Sequence, residues 1–207
     1  MGLRRFHQYS ALTEEAGALL DASELQHALE SADASLRRQS IQQAQIGQAV
    51  TDVLLAHLEH ETCDTVLEAL MLALARSQDV SVVAPMLEIF NSENVLLRNR
   101  AIEVLLHFPE QVMEQLPRAY AESGSDAQIF LINLMMDLKH PEVLAWLIEV
   151  LQTETQPNAV AAVLEVMAEI GDATCLPALR DVQQRWGEDP FMAFAIEFAQ
   201  KGCTPHE

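Results

Sequence analysis

The 207-residue sequence predicts an all-α protein, a right-handed α-solenoid of about six stacked helix pairs. Three observations carry that expectation. Half of the residues are apolar while aromatics are only 5%, and Ala, Leu, Glu and Gln dominate, which is the composition of helices rather than strands. Apolar segments reopen at a period of about 31 residues, at Val50, Val80, Val112, Val143 and near Cys175. Turn residues punctuate the chain at the same interval.

The elements follow in order. Residues 1–21 form a partly ordered N-terminal segment, residues 22–202 the repeat array and residues 203–207 a C-terminal tail. The opening pair, Ser23 to Ser31 and Ser35 to Gly47, is more polar than the rest, as suits a terminal repeat with one face in water. Each of the five following pairs has a second helix with a four-residue core: Ala69–Leu72, Ala101–Val104, Asn133–Met136, Val163–Val166 and Ala195–Phe198. The second and fourth places of each core are apolar throughout.

Pro85, Pro117 and Pro177 fall at matching places in three first helices, where a missing N–H is tolerated near a helix start or at a kink. Turns are expected at Asn91–Asn94, Ser123–Asp126, Thr155–Asn158 and Gly187–Pro190. In the last of these, Asp189 reads as an N-cap and Pro190 as the first helical residue. Gly171 and Gly202 read as C-terminal caps of second helices.

The stretch AEIGDATCLPALRDV, Ala168 to Val182, resembles the repeat junction of HEAT-like proteins of the phycobilisome bilin-lyase class. ENVLLRNRAIEVL, Glu93 to Leu105, is similar to their second helix, with an arginine ahead of the small-apolar run. The resemblance spans roughly residues 22–202 and implies a HEAT-repeat fold. Asn133 stands where that pattern has Ala, and the pair beginning at Val143 lacks the proline. Scaffolds, adaptors, lyases and hydroxylases share such repeats, so the resemblance leaves the activity open.

Composition excludes some partners. A formal charge of −19 repels nucleic-acid phosphate and anionic membrane surfaces, so neither is an expected ligand. Arg4 and Arg5 are followed by no uninterrupted apolar stretch, so no secretory signal is read, and no segment reaches the roughly 20 apolar residues of a membrane span. Cys63, Cys175 and Cys203 are odd in number and widely spaced, which suits a reducing cytoplasm better than a disulfide framework.

Candidate chemistry is sparse. His57 and His60 share a helix face and, with Glu61 or Cys63 beside them, are the weak candidates for a metal site, although the same residues suit an exposed helix end facing the terminal dipole. HEAT-repeat hydroxylases, which this chain resembles in expected fold, hold a diiron centre with His-Glu pairs in several repeats; here only His60-Glu61 forms such a pair. His107 and His140 occupy matching turns and are expected at one edge, as a titrating pair or as favourable helix ends. Trp146 and Trp186 read as packing residues. No catalytic residue and no cofactor is assigned, because phosphate loops and nucleophile motifs are missing from the sequence.

Surface remains. If Leu70, Ile102, Leu134, Leu164 and Ile196 face the core, the residues one place later turn outward: Met71, Glu103, Met135, Glu165 and Glu197. With Glu68, Arg100, Ile132, Glu169 and Phe194 they make the expected partner-binding row. The expected function is a protein-interaction module, an adaptor, chaperone or scaffold, that takes a basic, partly apolar protein or peptide segment on its concave face. Its alternative, implied by the resemblance, is a cofactor-handling maturation factor or lyase-like enzyme.

Overall fold

The computed structural model describes residues 19–204, and readings that fall on the remaining residues lie outside it. The described chain is all-helical: 75% of it is helix and none of it is strand. No helix there is long and apolar enough to cross a membrane. It divides into two compact units, one ending at Asp79 and the other beginning at Val80, where the sequence suggests one continuous array.

The first unit holds α1 (Ala22–Leu29), α2 (Ala34–Gln42), α3 (Gln48–Leu58) and α4 (Asp64–Arg76). Asp21 starts α1 with a full capping box, since its carboxylate takes the Ser23 and Glu24 amides while Glu24 takes the Asp21 amide. Asp33 caps α2 more simply, its carboxylate accepting the Ser35 amide. Leu20 is tied to the α2–α3 link by two backbone bonds of 2.9 Å, to Gln43 and from Gln45. Helix α1 packs on α2 and α3, and α4 packs on α2 and α3, around Leu25, Ile41, Leu54, Val66, Leu70 and Leu74. One polar pair lies inside, the Thr51 and Ser77 hydroxyls at 2.9 Å, each satisfying the other out of water.

In the second unit a short helix, α5 (Val83–Glu88), is flanked by single 3-10 turns and followed by α6 (Val95–Leu105), α7 (Pro109–Glu122) and α8 (Ser125–Leu134). Then come α9 (Val143–Thr153), α10 (Pro157–Ile170), α11 (Leu176–Trp186) and α12 (Pro190–Gly202). Asp189 does cap α12, and Pro190 opens it. Helices pack on the next helix and on the next but one: α5 on α6 and α7, α8 on α7 and α10, α9 on α10 and α11, α12 on α10 and α11. Trp146 is buried edge-on to Tyr120, ring centres 5.5 Å apart, as a packing residue should be.

Two local expectations change. Pro117 sits well inside α7, which removes the helix start and leaves the kink of the two placements read for it, and its side chain is exposed. Gly171 and Gly202 do not act through the left-handed turn that favours glycine in a cap, since no described residue has positive φ. Their role is close approach: a β-carbon on Gly202 would overlap the Ala168 carbonyl of α10, and one on Gly171 would come 2.5 Å from the Cys203 sulfur. Cys203 itself, read as the first tail residue, is 1% exposed and continues the core.

Candidate functional site

In each unit a part-buried carboxylate organises a turn between helices. In the first it is Glu61, which accepts the Arg37 guanidinium side-on at 2.7 and 2.9 Å, His57 Nε2 at 3.0 Å and the backbone amides of Thr62 and Cys63. The Arg37 bond, seconded by those amides and His57, holds the carboxyl down at about 2 despite its burial. Arg37 also donates to the carbonyls of Ser31 and Ala32 at the end of α1.

The second unit repeats the device with Glu154. Burial pushes its carboxyl up, but the Tyr120 hydroxyl at 2.6 Å and the amides of Gln156 and Thr155 outweigh this and leave it below its usual value. Arg185 of α11 donates to the Leu151 and Glu154 carbonyls that close α9. In both places the carboxylate is committed to shaping a loop, so neither is free to transfer protons at neutral pH.

The weak metal candidates are brought close but not into a ligand set. His57 gives a nitrogen to Glu61, and Glu61 is taken by Arg37, which a cation would have to displace. His60 is exposed and borders an open depression of about 390 Å³ between α1 and α3, lined also by Leu29, Asp52 and Ala56. Among the described residues no three His, Cys, Asp or Glu side chains converge as a metal site. The second depression, about 510 Å³, is also open and runs beside Gly47, Arg76 and Ser77.

His107 and His140 take separate partners. His107 is exposed and its Nδ1 donates to the Glu103 carbonyl at 2.8 Å. His140 accepts the Glu142 amide on Nδ1 at 3.1 Å, so its proton is on Nε2, which donates to Glu110 of α7 at 2.7 Å. That bond ties the α8–α9 link to the start of the preceding helix pair.

The partner-binding row is only partly on the surface. Met71, Ile132 and Met135 are buried at 1%, 0% and 0% exposure, so they cannot floor a groove. The reason is rotation. In α4 and past the end of α8, both the third and fourth core places are apolar; the helix turns the third inward and leaves Leu72 and Met136 outside at 42% and 36%. Where the third place is Glu103 or Glu165, the fourth, Val104 or Val166, is buried instead. Glu103 is half-buried against Arg100 at 2.9 Å, while Glu68, Glu165, Glu169, Phe194 and Glu197 are exposed.

Of the partner-binding row, only Phe194 belongs to a further feature, which is on α12. Phe191, Phe194 and Phe198 are exposed at 66%, 68% and 51%, and the last two rings stack 6.5 Å apart and 9° from parallel. Their spacing of three and four places them along one stripe. In register with them α10 carries Ala159, Ala162 and Val166, all buried. The available signal was the switch from small residues to phenylalanine at equivalent places.

Comparison with known proteins adds little. No family model matches the chain, and no curated protein matches it. A solved structure described as an engineered protein, a Northeast Structural Genomics Consortium target, is similar at 16% identity over 89% of this chain and 99% of that one, with a TM-score of 0.41. A likeness of that degree carries no argument about fold or function.

Proposed function

We propose that this chain is a protein-interaction module built of HEAT-like helix pairs in a right-handed α-solenoid, working in the cytoplasm. It binds a basic, partly apolar protein segment on the second-helix face, which in such an array is the concave one. The observation that carries the reading is the acidic ridge of the second unit. Glu165 and Glu169 on α10 are exposed four residues apart on one helix face; on α12, which packs on α10, Glu197 is exposed and paired with Lys201 at 2.6 Å, and Phe194 is exposed three residues before it. Carboxylates in one field attract a cationic segment and speed its encounter, and an apolar edge supplies the contact that outlasts screening by salt. The packing of each helix on the next and the next but one supports the repeat architecture.

The test is to make Glu165→Lys with Glu169→Lys and capture partners from the native host with both forms. Both residues are exposed, so folding should change by less than about half a kcal/mol. The reading expects the identified partner to carry a basic segment and to bind the variant at least roughly tenfold more weakly, mostly through a slower on-rate. Undiminished binding by the variant would remove the ridge from consideration.

A further inference from the structure

Two of the three cysteines close the same end of one helix hairpin. Helices α11 and α12 pack on each other and are joined at one end by the turn from Gly187 to Asp189. At the other end, Cys175 caps the start of α11 and Cys203 caps the end of α12. Helices of 11 and 13 residues rise to similar lengths, so the hairpin brings the two caps level. Both are buried, at 0% and 1% exposure, and the Cys175 thiol lies against that of Cys203.

The backbone around the sulfurs is fitted to them. Gly171 follows α10, and a β-carbon there would come 2.5 Å from the Cys203 sulfur, so the missing side chain makes the room that the sulfur fills. Cys203 Sγ donates to the Met167 carbonyl at 3.4 Å. That carbonyl also accepts the Gly171 amide at 2.9 Å, so it keeps a partner if the thiol proton is lost. Asp172 fixes the turn that delivers Cys175, its carboxylate taking the Thr174 amide at 2.8 Å and its carbonyl the Cys175 amide at 3.0 Å.

We infer that Cys175 and Cys203 are a redox pair, and that a reversible disulfide between them closes the open end of the α11–α12 hairpin when a low-molecular-weight disulfide is in excess over its thiol. The exchange balances in two steps. Whichever thiol local opening exposes first loses its proton, and its thiolate attacks the small disulfide and expels one thiolate. The second protein thiolate then attacks the protein sulfur of that mixed disulfide and expels the other. Two protein thiols are oxidised by two electrons, one small disulfide is reduced to two thiols, and the two protons leave with them. Burial makes the forward step slow in the folded chain and shields the bond once it is made. Its effect is to close a loop of about 28 residues, which restricts the unfolded chain and should raise the melting temperature by roughly 5 to 10 °C.

The experiment uses the full chain with Cys63→Ser, so that only this pair can react. It is equilibrated in oxidised against reduced glutathione, both as the folded protein and by refolding from urea, which removes burial as a barrier. The expected product is a monomer two hydrogens lighter, with a linked peptide that joins Cys175 to Cys203 and a melting temperature raised and then restored on reduction. Cys203→Ala in the same background should show no shift between oxidising and reducing buffer; comparing each variant with itself cancels any loss of packing. Free thiols after oxidative refolding, glutathione adducts without the internal bond, or a bond that lowers the melting temperature would each overturn the proposal. Partner capture through Glu165 and Glu169 plays no part in these readouts, so the two readings stand or fall separately.

Discussion

The guanidinium of Arg37 meets the carboxylate of Glu61 side-on, two bonds in parallel, with Arg37 14% and Glu61 3% exposed at their side chains. Removing the arginine leaves a buried charge without its main partner, so Arg37→Ala should cost roughly 3 to 5 kcal/mol. The acid side can be worked out by sign. Glu61 has a carboxyl held at about 2 in the folded chain against an ordinary 4.5, so it contributes stability above about pH 4.5 that disappears as the pH falls toward 2. The full contribution is about 3 kcal/mol. Chemical denaturation of wild type and Glu61→Gln across pH 2 to 7 should show the two curves converging at the acid end; parallel curves would contradict the assignment.

Gly202 and Gly124 make a controlled pair. A β-carbon on Gly202 has the Ala168 backbone in its way, whereas one on Gly124 meets nothing within 4 Å. Neither has the positive φ that would confound the comparison. Gly202→Ala should destabilise by roughly 1 to 3 kcal/mol through forced separation of α12 from α10, and Gly124→Ala, at the N-cap of α8, should cost no more than about 1 kcal/mol because a poorer cap is offset by lost unfolded-chain entropy. Urea midpoints of the two variants check this directly.

The three thiols should separate by reactivity. Cys63 is half-exposed at the start of α4, and the Thr65 hydroxyl with the Val66 and Thr65 amides lowers its pKa. Cys203 is buried, and desolvation with Cys175 beside it pushes its thiol up to about 12. At pH 8 one equivalent of a thiol reagent should react with the native protein, and the other two on the order of a hundredfold more slowly, at the rate of local opening. Mass mapping of the labelled site decides it.

Helix pairs were readable because their signals are local. Asp189 caps α12 as its sequence context suggests, and Asp21, Asp33 and Asn94 cap α1, α2 and α6 by the same short-range chemistry, with bonds that run only two or three residues. Which way a helix turns was not local. Met71 and Met135 lie between apolar neighbours, so helical periodicity alone allows either the third or the fourth core place to face inward, and neighbouring helices choose. Glu61 and Glu154 were equally opaque, because their partners Arg37 and Tyr120 lie 24 and 34 residues away. The phenylalanine stripe was visible residue by residue, yet its exposure depends on what α12 does not pack against.

The arginines that close turns have a consequence for the molecule's outward character. The chain has 12 lysines and arginines against 31 carboxylates. Arg37 points into the carbonyls of Ser31 and Ala32, Arg98 into that of Ser92, and Arg185 into those of Leu151 and Glu154. Each places a cation at the negative end of a helical segment. Part of the scarce positive charge is thereby tied to backbone carbonyls while Glu165 and Glu169 stand outside. A molecule arriving at the surface meets a skin rich in carboxylates, in keeping with the formal charge of −19.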